Sequence, residues 1–283
     1  MKPPGATATG TAQERAGGSL LPRIAALYRY PLKGFTPEPR DSLSILPSGR
    51  VAGDRVLGVR FADTAAADDT WSPKAGMLAL VNTPGLARLE ARFDDRAGRL
   101  RIRLDGQTLV DEALDAEGRQ RIAAALATFV RGLEENPLAG HPERLPLRVI
   151  GDGATPRYQD NEAGQVTLHG RASLQALAAA TGGELSELRF RSNIAIEGTE
   201  AWEELDWVGR RVRIGAVEVE VARVKVRCLA THANPATGQR DLAVMTTLTT
   251  SFGQERPTFG VAVMPTGVGG EIRVGDEIRV IDR

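Results

Sequence analysis

The chain has 283 residues, which is enough to bury one large hydrophobic core or two of medium size. Its 36 basic and 36 acidic side chains balance, so no broad basic field favours nucleic acid or acidic lipid as a partner. One cysteine excludes an intrachain disulfide, and no apolar run approaches the roughly 20 residues that span a bilayer. We therefore expect a soluble, cytoplasmic protein that binds neither nucleic acid nor membrane.

The N-terminal segment and the lysines stand apart in composition. Residues 1–20 are small, polar and rich in proline and glycine, and they lack the apolar region of a signal peptide, so we predict a disordered tail. Only four of the 36 basic residues are lysines, namely Lys2, Lys33, Lys74 and Lys225. A lysine inside the folded region is therefore conspicuous, as in the segment "YPLKGF" that contains Lys33.

From residue 23 to about 110 the sequence is typical of short strands separated by turns. Apolar residues bounded by Pro, Gly, Asp and Asn occur in the segments "RIAALYRYP", "SLSILPSG", "RVLGVRFAD", "MLALVN" and "RLRIRLDGQTLV". The segment 118–133 instead has apolar residues every three or four positions, which predicts a helix. Asn136-Pro137 ends this helix, because the residue before a proline avoids the helical conformation. We place a domain boundary at this break.

After the break the sequence predicts more strands and one further helix. Strands are expected near 146–150 and 165–169, and "RASLQALAAATGG" predicts a helix with Ser173 as N-cap and Gly182 or Gly183 as its stop. Strand patterns return in "NIAIEG", "VGRRVRIG", "AVEVEVARVKV", "FGVAVM" and "GEIRVGDEIRVID". The segments "RRVRIGAVEVEV" and "GEIRVGDEIRVI" each have the pattern of a hairpin. Nothing indicates parallel βαβ units, so we expect a mostly β fold with a few helices, built as barrels or sandwiches.

The sequence contains none of several common catalytic and nucleotide-binding motifs. It has no phosphate-binding loop, no dinucleotide fingerprint and no nucleophile elbow. The histidines His141, His169 and His232 are far apart and lack the spacing of zinc ligands. A hydrolase using Cys228 and a histidine is disfavoured, because no carboxylate is evident to orient the imidazole.

Cys228 lies at the end of an alternating strand. The valine alternation between residues 217 and 226 shifts its phase at Ala222-Arg223, which predicts a bulge of the kind that re-aims side chains near sites. The following "ANPATGQRD" has turn chemistry, so Cys228 is expected beside a loop. Arg227 and Lys225 favour its thiolate, the form that binds metals. The alternative is a cysteine that only fills space in the core.

Several segments resemble the MOSC domain family, named after the C-terminal domain of the molybdenum cofactor sulfurase. The stretch "RCLATHANPATG" is similar to its signature of Arg-Cys, two apolar residues, threonine and a Pro-x-Thr-Gly turn. Further segments are similar in order along the chain, namely "YRYPLKGF", "GDRVLGVR", "RYQDNEAGQVTLHGRASLQAL", "RFRSNIAIEG", "WEELDWVGRRVRIG" and "FGVAVMPTGVGGEIRVGDEIRV". The version in the mitochondrial amidoxime reducing component and its bacterial relatives looks most similar. The resemblance implies a β-barrel-like domain over residues 21–137 and a MOSC β-barrel domain over 138–283.

The resemblance also implies a cofactor and its ligands. By position, Cys228 corresponds to the thiolate that binds molybdenum in the molybdenum cofactor (Mo-molybdopterin), where a soft sulfur ligand suits the metal. Arginine suits bidentate recognition of phosphate, and lysine offers a point charge. The residues implied to contact the cofactor are Lys33, Arg55, Asp160, Asn161, Arg191, Asn193 and Arg227. Three differences from the family pattern are Lys225 in place of a frequent second cysteine, Ser192 in place of proline and Gly34 in place of serine.

Each of these residues also has a simpler interpretation. Lys33 could protect the edge of a sheet from pairing with another chain. Arg55 and Arg191 could be ordinary surface arginines, because most charged residues are exposed.

The resemblance implies a molybdenum-cofactor oxidoreductase that reduces N-hydroxylated or N-oxide small molecules. The chain lacks a Cys-x4-Cys-x2-Cys ferredoxin module and the membrane anchor of the mitochondrial forms. We therefore expect electrons from a separate protein of ferredoxin, flavodoxin or cytochrome type with its reductase. One alternative is a carrier in which Cys228 holds a persulfide or the cofactor without turnover. Another is a MOSC protein whose cysteine is only structural.

Overall fold

The computed structural model describes residues 21–281, so the predicted tail of residues 1–20 lies outside the described residues. The first eight strands are β1 (Arg23–Arg29), β2 (Glu38–Arg40), β3 (Ser42–Ile45), β4 (Gly58–Arg60), β5 (Leu89–Asp94), β6 (Arg99–Leu104), β7 (Gln107–Ala113) and β8 (Arg148–Ile150). The others are β9 (Val166–Gly170), β10 (Ile194–Glu197), β11 (Arg211–Ile214), β12 (Val217–Val226), β13 (Thr258–Pro265), β14 (Gly270–Arg273) and β15 (Ile278–Val280). The α-helices are α1 (Ala116–Arg131), α2 (Arg171–Thr181) and α3 (Val244–Thr250).

The largest unit is an eight-stranded sheet with the strand order β15-β11-β12-β13-β9-β10-β1-β2. The start of β1 also contacts the chain at β15, where Ile24 N donates to Asp276 O at 3.0 Å and Ile278 N donates to Pro22 O at 2.7 Å. The sheet therefore curves until its β15 edge meets β1. Its concave face encloses a core of valine, isoleucine and leucine side chains.

Three smaller sheets complete the β structure of the described residues: β5-β6-β7, β4 with β8, and β3 with β14. Helix α1 begins at Asp115, whose side chain accepts a hydrogen bond from Gly118 N, as an N-cap does. Its buried face, which includes Ile122, Leu126 and Val130, packs into a second core with the β5-β6-β7 sheet. No helix among residues 21–281 is long and apolar enough to cross a membrane.

The prediction of a mostly β fold with a few helices is confirmed, although the strands form one large curved sheet and three smaller sheets instead of two separate barrels. The helix predicted over 118–133 is confirmed as α1. Gly182, at φ 72°, ends α2 as predicted. The bulge is also confirmed, because the pairing of β12 with β13 shifts register between Val221 and Arg223.

Four local predictions are wrong. The segment "MLALVN" forms turns, in which Asn82 Oδ1 accepts from Ala79 N at 3.0 Å, because asparagine favours a turn over a strand. Strands β14 and β15 do not form a hairpin, since β14 pairs with β3 and β15 pairs with β11. Helix α2 has Gly170 as its N-cap, and the hydroxyl of Ser173 donates instead to Glu204 at 2.7 Å. Strands β9 and β10 are parallel and joined through α2, so one βαβ unit exists.

The division into residues 21–137 and 138–283 stays a prediction, and strand pairing does not follow it. Strand β1 pairs with β10, and β3 pairs with β14, so the start of the chain contributes strands to the C-terminal sheets. In the opposite direction, β8 pairs with β4 of the N-terminal half. These exchanges bring segments from both halves to one cleft.

Candidate functional site

Cys228 lies directly after β12, where the strand separates from its neighbour. Arg227 N donates to Pro257 O at 2.8 Å, and the chain then enters a 3-10 turn over Leu229–His232. The carbonyl of Cys228 accepts from both the amide and the hydroxyl of Thr231, each at 3.0 Å, which fixes the backbone at this position. The thiol is free and half-buried, and it lines two adjoining cavities. The interpretation of Cys228 as a side chain that only fills the core is therefore wrong.

The two cavities together form a cleft with a strong excess of positive charge. Their volumes are about 240 Å³ and about 30 Å³, and Cys228 and Asp160 line both. The basic side chains of the lining are Lys33, Arg55, Lys74, Arg189, Arg191, Arg223, Lys225 and Arg227. Asp160 is the one acidic residue that lines either cavity in the described part of the chain. Because the whole chain has a net charge of zero, this concentration of cations specifically favours an anionic ligand.

Lys33 and Asp160 form an ion pair at the junction of the cavities. Lys33 is buried, and its Nζ donates to Asp160 Oδ1 at 2.8 Å and to Tyr158 O at 2.9 Å. The interpretation of Lys33 as an exposed edge residue is therefore wrong. Burial lowers the pKa of Lys33 although Asp160 opposes this effect, and Lys33 holds the pKa of Asp160 far below its usual range. The carboxylate is 61% exposed, which leaves it accessible from the cleft.

Arg55 and Arg191 both lie against the ring of Tyr30. The simpler interpretation of both as surface arginines is therefore wrong. Their guanidinium groups lie 4.8 and 4.3 Å from the ring centre. Arg55 pairs with Asp54 and donates to Arg191 O at 3.2 Å, while Arg191 Nη1 donates to the carbonyl of Phe35. Burial and the neighbouring Arg55 lower the pKa of Arg191 to about 10.

Two further features of Arg55 and Arg191 mark them as site residues. Both have φ 52°, a left-handed conformation that is uncommon for residues other than glycine and that concentrates at functional sites. The Nη2 atom of Arg191 is buried and has no hydrogen-bond partner within the described structure. A buried, unpaired cationic N–H group at a cavity wall is suited to an anionic oxygen.

Asn193 and Asn161 line the larger cavity but are also used by the protein itself. Asn193 Nδ2 donates to Tyr28 O at 3.1 Å and to Asp54 Oδ1 at 3.2 Å. Asn161 Oδ1 accepts from Gly164 N at 3.0 Å and closes a turn. Both side chains therefore shape the cleft through the backbone they hold.

Arg227 forms a wall of the cleft, with its donors turned to the protein. Its Nε donates to Phe259 O and its Nη1 to Phe190 O, each at 2.8 Å, and the guanidinium lies 5.8 Å from the centre of the Phe259 ring and 5.4 Å from that of the Phe190 ring. Burial lowers its pKa to about 10. These bonds favour a structural role for Arg227 over direct contact with a ligand.

Two cleft residues, Lys74 and Lys225, were not predicted as site residues. Lys74 Nζ lies 3.3 Å from Cys228 Sγ. Burial alone would lower the pKa of Lys74, but the charges of Asp160 and Cys228 outweigh it and raise the pKa. Burial and Arg227 lower the pKa of Lys225 to about 8. The scarcity of lysine could have identified both, because every lysine within residues 21–281 lines the cleft.

The loop between β4 and Lys74 is held by Arg60, and its path places Lys74 beside the thiol of Cys228. The side chain of Arg60 is completely buried, and it donates to Ala66 O at 2.8 Å, to Thr70 O at 3.1 Å and to Ser72 Oγ at 3.1 Å. Arginine can satisfy several carbonyls at once because its five N–H groups form a planar fork. The loop therefore has a defined path from β4 to Lys74.

The histidines lie outside the lining of the cleft. His141 is exposed beside Glu143, His169 is buried among aromatic rings, and His232 Nε2 accepts from Met245 N at 3.2 Å. A Cys/His hydrolase would need an imidazole in the cleft, and none lines it. Across residues 21–281 no group of three His, Cys, Asp or Glu side chains could hold a metal ion. The soft sulfur atom in the cleft lining is that of Cys228.

The region that contains the thiol is similar to a known protein family. Residues 155–279 match the family model described as the MOSC domain. This part of the chain is similar to the MOSC domain. One similar solved structure is that of the YuaD protein from Bacillus subtilis, with a TM-score of 0.43 and 10% sequence identity, over 92% of this chain and 94% of that chain. Another is YiiM from Geobacillus stearothermophilus, with a TM-score of 0.31 and 15% sequence identity, over 42% of this chain and 54% of that chain. A search of curated protein sequences finds no match.

The region that matches the MOSC domain supplies only part of the cleft. Cys228, Asp160 and Arg191 belong to it, whereas Lys33, Arg55 and Lys74 come from the N-terminal segment. MOSC domains are associated as a family with the molybdenum cofactor. The residues present fit such a group, because the cleft combines a free thiol, excess positive charge and the unpaired buried Nη2 of Arg191.

Proposed function

We propose that the protein is a molybdenum-cofactor-dependent oxidoreductase that reduces N-hydroxylated or N-oxide small molecules with electrons from a separate redox protein. That protein would be a ferredoxin, flavodoxin or cytochrome with its reductase. The observation that most supports this proposal is the free thiol of Cys228 in a cationic cleft of a MOSC domain.

Each part of the cleft has a role in this proposal. Cys228 supplies the thiolate ligand, and when bound the cofactor supplies two-electron oxygen-transfer chemistry. Arg55 and Arg191 donate N–H groups to the cofactor phosphate, and their stacking on Tyr30 fixes the planes of the guanidinium groups in advance. Asp160, which Lys33 keeps ionised, accepts from N–H groups of the pterin.

Lys74 is proposed to stabilise the thiolate of Cys228 and to fix its position. Its ammonium group, 3.3 Å from Sγ, places a positive charge beside the thiolate. Because the loop behind it is fixed by Arg60, this charge needs no rearrangement when a ligand enters.

Turnover with an artificial electron donor tests the proposed activity. Protein made in a host that synthesises the cofactor is given reduced methyl viologen and benzamidoxime, and benzamidine is measured by chromatography. We expect wild type to form benzamidine and Cys228→Ser to form none, while an exposed-strand control, Arg101→Gln, keeps the wild-type rate. Wild-type protein that contains molybdenum but does not reduce any N-hydroxylated or N-oxide compound would refute this activity.

A second candidate is a carrier that holds a persulfide or the cofactor on Cys228 without turnover. The cavity of about 30 Å³ beside the thiol and the contact with Lys74 favour it, because a persulfide anion needs little space and a cationic neighbour. Mass spectrometry of the purified chain would then show an added sulfur atom on Cys228, and the dye-linked assay would give no product.

A further inference from the structure

Two apolar side chains are exposed on either side of Cys228. Val226 is 42% exposed and Leu229 is 40% exposed, and each lies within two positions of the thiol. Across residues 21–281 only six large apolar side chains are exposed, and these two flank Cys228 in the sequence, with Val226 in the lining of the larger cavity. Single exposed apolar residues are common, but two that border a functional cleft indicate a contact surface.

Two basic side chains lie on the same strand end as Val226. Arg223 is exposed and its Nε donates to the neutral amide oxygen of Gln165 at 2.7 Å, so the hydrogen bond leaves its charge in place. Lys225 lies between Arg223 and Val226 on the same strand end and lines the cleft. The one acidic residue of the cleft lining, Asp160, is neutralised by Lys33. This end of β12 and the residue after Cys228 therefore combine exposed apolar side chains with positive charge.

We propose that this surface, formed by Val226, Leu229, Arg223 and Lys225, docks an acidic electron-carrier protein of the small iron–sulfur or flavin type. Docking here would bring the redox group of the carrier over the mouth of the cleft, next to Cys228. The inference rests on the proposed function, because a carrier is needed only if the site exchanges electrons.

The small size of the surface suits this kind of partner. Complexes between electron-transfer proteins are weak and short-lived, and their interfaces lie at the low end of the range of protein interface areas. A few apolar contacts provide enough affinity for such an encounter, and opposite charges at the border speed association. An acidic carrier matches the positive border, whereas a basic carrier would be repelled.

Charge substitutions at Leu229 test the docking surface, because Leu229 does not line either cavity. Binding of an acidic plant-type ferredoxin to the molybdenum-loaded protein is measured by calorimetry for wild type, Leu229→Glu and Leu229→Lys. Both substitutions remove the same apolar side chain, so the difference between them reports charge alone. Val208, also 40% exposed but outside the cleft lining, provides the matched pair Val208→Glu and Val208→Lys.

We expect Leu229→Glu to bind the ferredoxin about tenfold more weakly than Leu229→Lys at low salt, with the difference reduced at high salt. The Val208 pair should differ by less than about twofold. Equal binding by the two Leu229 variants, or no binding of the ferredoxin to wild type, would overturn the proposal. Molybdenum content and dye-linked turnover are measured on the same samples, so a failed docking surface is distinguished from a failed enzyme assignment.

Discussion

Lys74 and Cys228 are separated by 154 positions in the chain, yet their side chains meet at 3.3 Å. This contact could not be predicted from local sequence, because it depends on the path of a loop that a distant arginine fixes. By contrast, the sequence did indicate Lys33, Arg55 and Arg191, since each lies in a segment with a recognisable family pattern. What the sequence lacked was the distinction between residues that face a ligand and those, such as Arg227, whose donors are used by the protein.

At the residue scale, Lys225 makes the charge of the cleft depend on pH. Burial lowers its pKa to about 8, so the folded protein loses this positive charge as the pH rises through that value. We expect the affinity for sulfate, which does not titrate in this range, to fall roughly tenfold across this step. Isothermal titration calorimetry between neutral and alkaline pH measures the step in the cofactor-free protein.

Two substitutions separate this titration from a general loss of binding. Lys225→Arg keeps its charge throughout, so sulfate affinity should stay constant with pH. Lys225→Met should bind sulfate weakly at every pH. If the Met variant retained the wild-type fall in affinity, another group would be responsible.

Arg227 carries a different prediction at the same scale. Arg227→Met removes the donors of two buried carbonyls, at Phe190 and Phe259, and should lower the free energy of unfolding by about 2–4 kcal/mol. Urea denaturation of the cofactor-free protein measures the change. The exposed Arg223→Met serves as control and should change stability by less than about 0.5 kcal/mol. Equal stabilities of the two variants would show that Arg227 is not structural.

At the scale of elements, the strand and helix patterns predicted those parts whose signal is local. Helix α1 and the bulge of β12 were predicted because each depends on the periodicity of a continuous segment. The predicted β14–β15 hairpin is wrong because β14 pairs with β3, where Gly270 is opposite Ile45, 225 positions earlier in the chain, and because β15 pairs with β11 at the edge of the large sheet. The βαβ unit was missed for a similar reason, since one helix between two strands gives no repeating pattern.

The loop between β4 and Lys74 offers an element-scale prediction. Arg60→Met should make the loop mobile, because the carbonyls of Ala66 and Thr70 and the hydroxyl of Ser72 lose their hydrogen-bond donor. Hydrogen exchange of residues 62–76 should become about tenfold faster, while the amides of α1 keep their protection. Arg101→Met, on the exposed face of β6, is the control and should leave the loop unchanged. Unaltered exchange in Arg60→Met would show that other contacts fix the loop.

At the scale of the whole molecule, the N-terminal and C-terminal halves together line the cleft that contains Cys228. The N-terminal half contributes Lys33, Arg55 and Lys74, and the region that matches the MOSC domain contributes Arg191 and Cys228. A chain with a net charge of zero thereby concentrates positive charge at one cleft. The resemblance of short segments could indicate which residues take part. Their assembly required the exchange of strands between the halves, which no single segment encodes.

Molybdenum analysis of the purified protein tests the central claim that Cys228 holds a molybdenum cofactor in this cleft. Wild type and Cys228→Ser are prepared from a host that makes the cofactor and from one that cannot, and metal content is measured by mass spectrometry. We predict stoichiometric molybdenum in wild type from the first host, and little or none in Cys228→Ser or in either protein from the second. Wild type without molybdenum, or Cys228→Ser that retains it fully, would contradict the account.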